Sequence, residues 1–475
     1  MGCSGSRSNG SNALKRWFKR AKAQFKRLLR KLVQESSNAL KRWFKKNKYR
    51  SEAYRSGEAT YRSNRRLRIV AKRIVRAKRV QVMLTGKTIV LGVTGSIAAY
   101  KIAGLASMLV KQHADVHVIM TKNACNFINP ITFETLTKHK CLVDTFDRNF
   151  EFSVKHVSLA QAADVFLIAP ASANVIGKIA NGICDDMLTT TVCATRKPVL
   201  ISPAMNTGMY ENAIVQDNLK KLEHFGYHII KPAVGRLACG DVGAGKMPEP
   251  EELYDNILLT IAKEKDMKGK RVLISAGPTQ EAIDPVRYIT NHSSGKMGYA
   301  LAKMAKLRGA DVTLVSGPVN ITAFSGIDVV NVKSAEDMYE AITARSAEAD
   351  IIIMCSAVAD YTPAHYSDQK VKKGDGDMSI ELSRTKDILK SLGEKKRDGQ
   401  TIVGFSMETE NLIANSQAKL VKKNVDMICA NSISTDKTGF GVDTNKVTLI
   451  FKDHVEELPL CSKEETAELI LDKLK

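Results

Sequence analysis

Short, mainly apolar segments recur along most of the chain, and each ends in a loop of small residues followed by a helical pattern. Residues 88–94, 164–170 and 198–203 are of this kind, and the pattern begins again at residues 271–275 and 350–355. Strands that are apolar on both faces and alternate with helices are typical of parallel sheets covered by helices on each side. The sequence therefore predicts an α/β fold with two doubly wound domains.

A charged stretch at residues 262–270 separates the two series of strands, and we interpret it as a linker. We therefore expect domains at residues 84–264 and 268–475, preceded by an extension of residues 1–83. Doubly wound sheets bind their ligands at the carboxyl ends of the strands. Binding and catalytic residues are thus expected in the loops that follow the strands.

The extension differs from the rest of the chain in charge. Residues 1–85 contain 26 lysines and arginines but only three acidic residues, which gives this segment a net charge of +23. The remaining residues contain 46 lysines and arginines and 47 acidic residues, a net charge of −1. The whole excess in the formal charge of +22 therefore lies in the extension. The sequence of residues 11–19 recurs at 37–45, and the region has the spacing of a basic amphipathic helix. Three interpretations remain open: a solvated or disordered segment upstream of a start at Met83, a membrane or protein contact, and nucleic-acid binding.

Cysteine usage and hydropathy indicate the compartment. The nine cysteines are odd in number and form no C-x-x-C pair, which disfavours a disulfide framework or a structural zinc site and favours a reducing environment. No apolar run reaches the ~18–20 residues that cross a bilayer, and the N-terminus lacks the apolar core of a secretory signal. We therefore expect a cytoplasmic protein.

Small polar residues follow three strands of the first predicted domain. Gly95 and Ser96 join a strand to a helix start, where backbone N–H groups and the helix dipole favour a phosphate. The G-x-G-x-x-G spacing of dinucleotide-binding loops is missing. Ser172 and Asn174 offer hydrogen bonds after the next strand, although a tight turn with a helix N-cap is the simpler interpretation. Asn206 follows a third strand and is expected at the same edge of the sheet.

Two further residues of this domain are candidates for proton transfer. His156 opens a predicted helix, a position where a histidine is more often a surface or capping residue than a catalytic one. Cys239 lies in the glycine-rich segment 235–247, which we expect to be mobile and able to cover a site. A single thiol is otherwise most simply an ordinary free cysteine.

In this order the motifs closely resemble the phosphopantothenoylcysteine decarboxylase half of the bifunctional enzymes of bacterial coenzyme A biosynthesis, within the wider family of flavin-dependent cysteine decarboxylases. The motifs Gly-Ser-Ile-Ala-Ala-Tyr-Lys, His-Val-Ser-Leu, Pro-Ala-Met-Asn and Leu-Ala-Cys-Gly-Asp carry the resemblance. It implies a flavodoxin-like domain that binds FMN and forms trimers with sites between subunits. The implied roles are FMN binding by Ser96, Thr121, Ser172 and Asn174, a base at His156, a substrate carboxylate contact at Asn206 and a proton donor at Cys239.

The reaction that this resemblance implies accounts for the residue types. Direct loss of CO₂ would leave an unstabilised carbanion, so the family uses FMN to oxidise the cysteine thiol to a thioaldehyde, which serves as an electron sink. The cofactor supplies the redox chemistry, while the protein orients the substrate and moves protons.

The longest uninterrupted motif of the chain lies at residues 276–298, at the start of the second predicted domain. It reads as a Gly/Ser loop that leads into a helix, with Arg287, Asn291 and Lys296 available for anionic ligands. Such loops bind phosphates through backbone N–H groups and nearby cations.

A second set of charged residues follows later strands of this domain. Asp360 is expected at a sheet edge, the lysines of residues 370–373 lie in a predicted loop, and Lys419 and Lys423 share one face of a helix. A lysine cluster by itself is most often a solvated face. Beside an aspartate and a phosphate-type turn, nucleotide phosphates explain it better.

This half resembles the phosphopantothenate–cysteine ligase domain through its Ser-Ser-Gly-Lys-Met-Gly, Ala-Val-Ala-Asp-Tyr and Lys-x-Lys-Lys signatures. The resemblance implies a Rossmann-like dimer that forms an acyl-cytidylate from CTP and 4′-phosphopantothenate with Mg²⁺, whose ligands are unknown, before the cysteine amine attacks. Joined to a trimeric decarboxylase, such a dimer would give a dodecamer. The implied roles are charge stabilisation by Lys370, amide formation by Arg287, Asn291 and Ala357, and CTP binding by Asp360, Lys386, Asp387, Ile388, Leu389, Phe405, Lys419 and Lys423.

Two other classes of protein remain as alternatives. The chain could be a basic nucleic-acid-binding or membrane-binding protein on a degenerate enzyme scaffold, which would require both sets of site residues to be relics. An NAD-dependent oxidoreductase is disfavoured by the missing dinucleotide fingerprint.

Overall fold

The computed structural model describes residues 83–146, 155–236, 240, 242–372, 379–408, 411–432 and 442–474. Cys239 and nearly all of the basic extension lie outside these residues. No helix within the described part of the chain is long and apolar enough to cross a membrane.

The first half of the described chain contains seven strands and eight α-helices. The strands are β1 (Thr88–Val93), β2 (Asp115–Met120), β3 (Val165–Ala171), β4 (Val199–Pro203), β5 (His228–Ile229), β6 (Ala233–Arg236) and β7 (Val242–Lys246). The helices are α1 (Lys101–Lys111), α2 (Pro130–Thr137), α3 (Lys155–Ala162), α4 (Ala173–Ala180), α5 (Met187–Ala194), α6 (Thr207–Glu211), α7 (Ala213–His224) and α8 (Pro250–Ile261). Short 3₁₀ helices cover Ile97–Tyr100 and Lys122–Asn126.

Strands β1 to β5 form one parallel sheet in the order β2-β1-β3-β4-β5. This is the strand order of flavodoxin-like folds, whose topological switch point lies between β1 and β3. All seven residues of β3 are buried, because a central strand of a doubly wound sheet has helices on both faces. The flavodoxin-like architecture predicted for this half is therefore confirmed.

The second half contains fourteen strands and five helices among the described residues. The strands are β8 (Arg271–Ala276), β9 (Gln280–Ala282), β10 (Tyr288–Thr290), β11 (Asp311–Ser316), β12 (Asp328–Asn331), β13 (Ile351–Met354), β14 (Tyr361–Pro363), β15 (Leu382–Arg384), β16 (Thr401–Glu408), β17 (Met427–Ser432), β18 (Thr444–Asn445), β19 (Val447–Ile450), β20 (Val455–Glu457) and β21 (Cys461–Ser462). The helices are α9 (Lys296–Leu307), α10 (Ala335–Ser346), α11 (Ile388–Glu394), α12 (Leu412–Lys422) and α13 (Lys463–Leu471).

Eight of these strands form the second sheet, in the order β12-β11-β8-β13-β16-β17-β19-β20. The first six are parallel and repeat the strand order of a Rossmann fold, and the last two add an antiparallel edge. The order reverses between β8 and β13, which is where a ligand is expected. The predicted Rossmann-like second half is thus also confirmed.

The charged stretch between the two sheets is folded against the second half. Met267 is buried and its backbone N–H donates to the carbonyl of Arg308. The Arg308 side chain is itself buried and donates to both carboxylate oxygens of Asp266, at 2.8 and 2.7 Å. The segment predicted as a linker therefore contributes Lys263 and Asp266 to ion pairs, with Glu468 and Arg308, respectively.

Candidate active sites

At the switch point of the first sheet, a buried threonine links the loops that follow β1 and β3. Thr94 follows β1, and its hydroxyl donates to the carbonyl of Pro170 at 2.7 Å and accepts from the backbone N–H of Ser172 at 2.9 Å. The side chain has no exposed surface, so both bonds lie in a low-dielectric interior where they are well maintained. Thr94 thereby fixes the loop after β3 relative to the loop after β1.

A cavity of about 760 Å³ lies at these strand ends. Ser96, Ser172 and Asn206 line it, so three residues predicted from separate loops meet in one place. Each of the three also caps a helix, accepting backbone N–H groups of Ala98, Val175 and Met209, respectively. The capping interpretation and the binding interpretation are therefore compatible, because the caps orient these side chains beside the cavity.

An adjoining cavity of about 480 Å³ brings together the other residues predicted to bind FMN. Thr121 and Asn174 line it, and Ser172 lines both cavities. Exposed apolar side chains surround the mouth of the larger cavity, with Ile97, Tyr100 and Met209 each about half exposed. Apolar walls with a few fixed polar groups are typical of cofactor sites.

Glycines of the predicted flap allow close packing beside this site. β6 and β7 form an antiparallel hairpin, and Arg236 and Lys246 on it line the larger cavity. A Cβ at Gly243 would collide with the Thr207 side chain, and one at Gly245, where φ is +125°, would collide with the carbonyl of Met205. These two glycines therefore allow the hairpin to pack closely against the chain around Asn206. Cys239 lies between the strands, outside the described residues.

His156 lies away from both cavities of its own chain. It is half-buried on α3, which packs against α5, and it lines neither the larger nor the smaller cavity. The structure therefore does not bring this predicted base together with Asn206 within one chain.

Three cationic residues that line the larger cavity were not predicted as binding residues from the sequence: Lys101, Arg236 and Lys246. The Lys101 ammonium donates to both carboxylate oxygens of Glu249 at 2.8 Å, and Arg236 and Lys246 lie on the same wall. Lys101 ends the Gly-Ser-Ile-Ala-Ala-Tyr-Lys motif, so its position in that motif was the available signal. A basic rim of this kind can bind a phosphate group.

Hydroxyl groups also join the strand ends at the switch point of the second sheet. The Ser275 hydroxyl at the end of β8 lies 2.8 Å from that of Ser356, and it accepts the backbone N–H of Cys355. The Thr279 hydroxyl likewise accepts the N–H of Ala359. Burial raises the pKa of the neighbouring Cys355 thiol to about 12, so this cysteine is a poor nucleophile at neutral pH.

Asp284 holds Arg287 and the neighbouring lysine-containing loop together. Arg287 donates to one carboxylate oxygen of Asp284 through Nε at 2.9 Å and Nη2 at 2.5 Å, and Nη2 also donates to the Val371 carbonyl. The backbone N–H of Val371 returns a bond to the same oxygen of Asp284. The guanidinium holds the pKa of Asp284 well below its usual range. Sequence analysis did not select Asp284, although it lies within the long motif.

Asn291 contacts Ala357, with which it was predicted to act. Its side-chain amide donates to the carbonyl of Ala357 at 3.1 Å and to that of Val358 at 3.3 Å. Lys370 is exposed and does not line the nucleotide cavity; the residue after it, Val371, accepts a hydrogen bond from Arg287 through its carbonyl. Lys296, in contrast, pairs with Asp443 at 2.7 Å and lines a different cavity.

A cavity of about 470 Å³ at the ends of β13 and β16 brings together all of the residues predicted to bind CTP. They come from four separate segments of the chain: Asp360 follows β13, residues 386–389 follow β15, Phe405 lies on β16, and Lys419 and Lys423 lie at the C-terminal end of α12. The residues are Asp360, Lys386, Asp387, Ile388, Leu389, Phe405, Lys419 and Lys423.

Charged contacts orient several side chains of this cavity. Lys386 pairs with Glu336 at 2.5 Å and lies over the Tyr339 ring, and the hydrogen bond to Glu336 raises the pKa of Lys386. Lys423 contacts Asp387, and burial lowers the pKa of Lys423. Both ammonium groups are thus paired with carboxylates, and Lys419, which also lines the cavity, is a further cation that can contact a phosphate group.

Known proteins show the same arrangement of domains. Residues 77–262 match the Flavoprotein family, and residues 267–475 match the DNA/pantothenate metabolism flavoprotein C-terminal domain. The chain is 48% identical to the coenzyme A biosynthesis bifunctional protein CoaBC of Bacillus subtilis (strain 168) over 396 residues, which are 82% of this chain and 97% of that relative. The chain belongs to the CoaBC family.

CoaBC membership confirms the family resemblance drawn from the motifs. A second relative is a cysteine/cysteine sulfinic acid decarboxylase from an unknown prokaryotic organism, 46% identical over 73% of this chain and 98% of the relative. Among solved structures, the C-terminal domain of a CoaBC protein is 45% identical and covers 44% of this chain and 95% of that domain, with a TM-score of 0.38.

Proposed function

We propose that this chain is a bifunctional enzyme of coenzyme A biosynthesis. Its second domain would join 4′-phosphopantothenate to cysteine with CTP, and its first domain would decarboxylate the product to 4′-phosphopantetheine with FMN. The observation that carries the proposal is the presence of two doubly wound sheets, each with a cavity at the strand ends lined by the residues proposed for its reaction. The proposed domains are residues 84–264 and 268–475.

The nucleotide would bind in the 470 Å³ cavity of the second domain. Lys419 and Lys423 are suited to the triphosphate because they are cations one helical turn apart that both line the cavity, with Lys423 held by Asp387. Phe405 and Leu389 give an apolar surface for the base. Asp360 lies in the same cavity and can accept from a sugar or base donor. Mg²⁺ would accompany the triphosphate as a substrate partner.

Amide formation would take place between the nucleotide cavity and Arg287. A carboxylate is a poor electrophile until its oxygen becomes part of a good leaving group. Attack of a carboxylate oxygen on the α-phosphate of CTP would release pyrophosphate and form the acyl-cytidylate, from which the cysteine amine would displace CMP. Lys370 would stabilise negative charge during activation, from the loop that Asp284 holds next to Arg287. Asn291, with its amide fixed on the carbonyl of Ala357, would help to orient the acyl group for attack by the cysteine amine.

FMN would occupy the adjoining cavities of the first domain. The side chains present fit a phosphorylated planar cofactor, since Ser96 and Ser172 stand at helix starts and Ile97 and Met209 offer exposed apolar surface. Bound there, FMN supplies the reversible hydride transfer on which decarboxylation depends. Thr121 and Asn174 would complete the cofactor contacts, and the Asn206 amide would bind the substrate carboxylate.

Proton transfer in the first domain would involve residues from two subunits. His156 lies outside the cavities of its own chain, and this supports a site in which the base comes from a neighbouring subunit. Cys239, on the segment between β6 and β7, would return a proton to the substrate carbon. A trimeric first domain and a dimeric second domain would together form a dodecamer.

One assay tests the whole proposal. The full chain is incubated with 4′-phosphopantothenate, cysteine, CTP and Mg²⁺, and 4′-phosphopantetheine, pyrophosphate and CO₂ are measured. All three should form, and ATP should replace CTP poorly. Equal use of CTP and ATP would contradict the nucleotide assignment. A colourless protein that does not take up FMN would contradict the assignment of the first domain. Release of CO₂ from cysteine alone would instead favour the activity named for the second relative.

A further inference from the structure

Three side chains that commonly bind transition metals meet at one edge of the first sheet. Asp115 and His117 lie on β2, the edge strand, and His139 follows α2. One potential ligand atom from each of them lies within 4.8 Å of the other two. This group, the Asp115–His117–His139 cluster, lines neither of the cavities at the switch point.

Both imidazoles of the cluster face one carboxylate. Nε2 of His139 lies 2.6 Å from Oδ1 of Asp115, and Nε2 of His117 lies 3.3 Å from Oδ2. The two rings stack with their centroids 4.1 Å apart and their planes inclined by 24°. Two nitrogens and a carboxylate therefore converge from one side, as the protein ligands of an open metal site do.

The backbone holds His139 in this position. The segment after α2 pairs with β2 through two hydrogen bonds, from Met120 N–H to the Leu142 carbonyl at 2.8 Å and from Leu142 N–H to the Val118 carbonyl at 3.0 Å. The N–H of His139 also donates to the Thr137 hydroxyl. The cluster is thus formed by two chain segments in a fixed register and does not depend on one flexible loop.

We propose that the Asp115–His117–His139 cluster binds one divalent transition-metal ion, with Zn²⁺ as the reference ion and water completing the coordination. Ligand atoms at about 2.0–2.2 Å from a tetrahedral Zn²⁺ lie roughly 3.4 Å from one another. The separations of 2.6 and 3.3 Å to the two oxygens of Asp115 approach this value, and the potential ligand atoms of all three residues lie within 4.8 Å of one another. Imidazole ligands favour Zn²⁺, Co²⁺ or Ni²⁺ over Mg²⁺, which prefers oxygen.

A metal at this position would join β2 to the segment that follows α2. The side chains of Asp115, His117 and His139 are 48%, 22% and 40% exposed, so an ion can enter from solvent. The chain continues from His139 into Val143 and Phe146, which line the 480 Å³ cavity. The metal would therefore stabilise the base of one cavity wall, whether or not that cavity binds FMN.

The test uses the full chain in metal-free buffer. Binding of Zn²⁺ is measured by calorimetry, and Co²⁺ is added as a spectroscopic probe. His139→Ala and Asp115→Asn should each lose one equivalent of Co²⁺ or bind it at least about tenfold more weakly. The difference in Co²⁺ absorption between the unmutated chain and these variants should contain no sulfur-to-metal charge-transfer band, because the cluster has no thiol. Zn²⁺ should raise the melting temperature of the unmutated chain more than that of either variant.

His454→Ala is the matched control. His454 also pairs with an aspartate, Asp453 Oδ1 at 2.7 Å, and it stacks on the Phe451 ring. It belongs to no group of three metal-binding side chains within the described ranges. His454→Ala should keep the full Co²⁺ stoichiometry. Unchanged binding in His139→Ala and Asp115→Asn, or an equal loss in His454→Ala, would overturn the proposal. His117→Gln provides a third ligand variant if either of the first two fails to fold.

Discussion

The buried carboxylate of Asp284 holds the guanidinium of Arg287 through two bonds to one oxygen, at 2.9 and 2.5 Å. The same oxygen accepts the N–H of Val371, so the turn that contains Arg287 and the loop that contains Lys370 share one anchor. Asp284 thus orients the Arg287 side chain and fixes the backbone of the loop that carries Lys370.

Asp284→Asn should slow ligation while leaving decarboxylation intact. Oδ1 of Asp284 accepts the backbone N–H groups of Val286 and Arg287, while Oδ2 accepts the Arg287 side chain and the N–H of Val371. An amide has only one acceptor oxygen and cannot keep both sets of contacts, and misplacing reactive groups by about 1 Å costs roughly a hundredfold in rate. We expect kcat for pyrophosphate release to fall by that order, with a smaller change in the KM for CTP. Asp368→Asn, in an exposed part of the same loop, is the control. Equal effects on kcat and on nucleotide KM would contradict a positioning role.

The stability of the protein in acid should also depend on Asp284. Its folded-state pKa is depressed by the Arg287 hydrogen bonds, so its contribution to stability is complete above its unfolded pKa of about 3.9 and is lost as pH falls below that value. The melting temperature of Asp284→Asn should therefore lie below that of the unmutated chain at neutral pH. The difference should shrink as pH falls below about 4. A difference that is constant over this range would exclude the titration as its source.

Lys419→Ala should weaken nucleotide binding. Lys419 lines the 470 Å³ cavity, and hydrogen bonds to charged groups contribute about 1.5–3 kcal/mol. The KM for CTP should rise by at least about tenfold, since 1.4 kcal/mol corresponds to that factor. Lys422→Ala on the same helix is the control because Lys422 is exposed and does not line the cavity. Similar KM values for both variants would show that the cavity is not the nucleotide site.

Two inactive decarboxylase variants should restore activity when their subunits are mixed. His156→Asn would remove the proposed base, and Asn206→Asp would repel the substrate carboxylate while keeping an oxygen that caps α6. If the base acts in a neighbouring subunit, co-assembled mixtures contain some sites with neither change. CO₂ release from 4′-phosphopantothenoylcysteine should then exceed that of either variant alone. No recovery in verified mixed assemblies would indicate that both residues act within one chain.

Removal of residues 1–82 should leave both activities unchanged. Those residues carry the excess of lysine and arginine, whereas every described residue proposed to bind or react lies between Ser96 and Lys423. We expect kcat and KM for ligation and decarboxylation to agree with those of the full chain within about twofold, a difference of ~0.4 kcal/mol. A specific loss of one activity would assign a catalytic role to the extension.

The fold and most binding residues could be predicted from the sequence because they depend on local pattern. Apolar strands followed by small-residue loops specify parallel sheets, and the carboxyl ends of such strands fall at one edge whatever their order. That rule brings Ser96, Ser172 and Asn206 to one cavity and places Asp360 at another, whereas Phe405, within β16, and Lys423, at the C-terminal end of α12, reach the second cavity through tertiary packing. The family motifs added the expected roles, which remain proposals for individual residues.

Only the tertiary structure decided which charged groups pair and which cavity each side chain meets. Lys296 follows a phosphate-type turn yet pairs with Asp443, and His156 does not line the cavity that Asn206 lines. Such pairings depend on strand order and helix packing between residues far apart in sequence, which local patterns do not encode. The Asp115–His117–His139 cluster has the same origin: the register between β2 and the segment after α2 brings a distant histidine beside the other two residues.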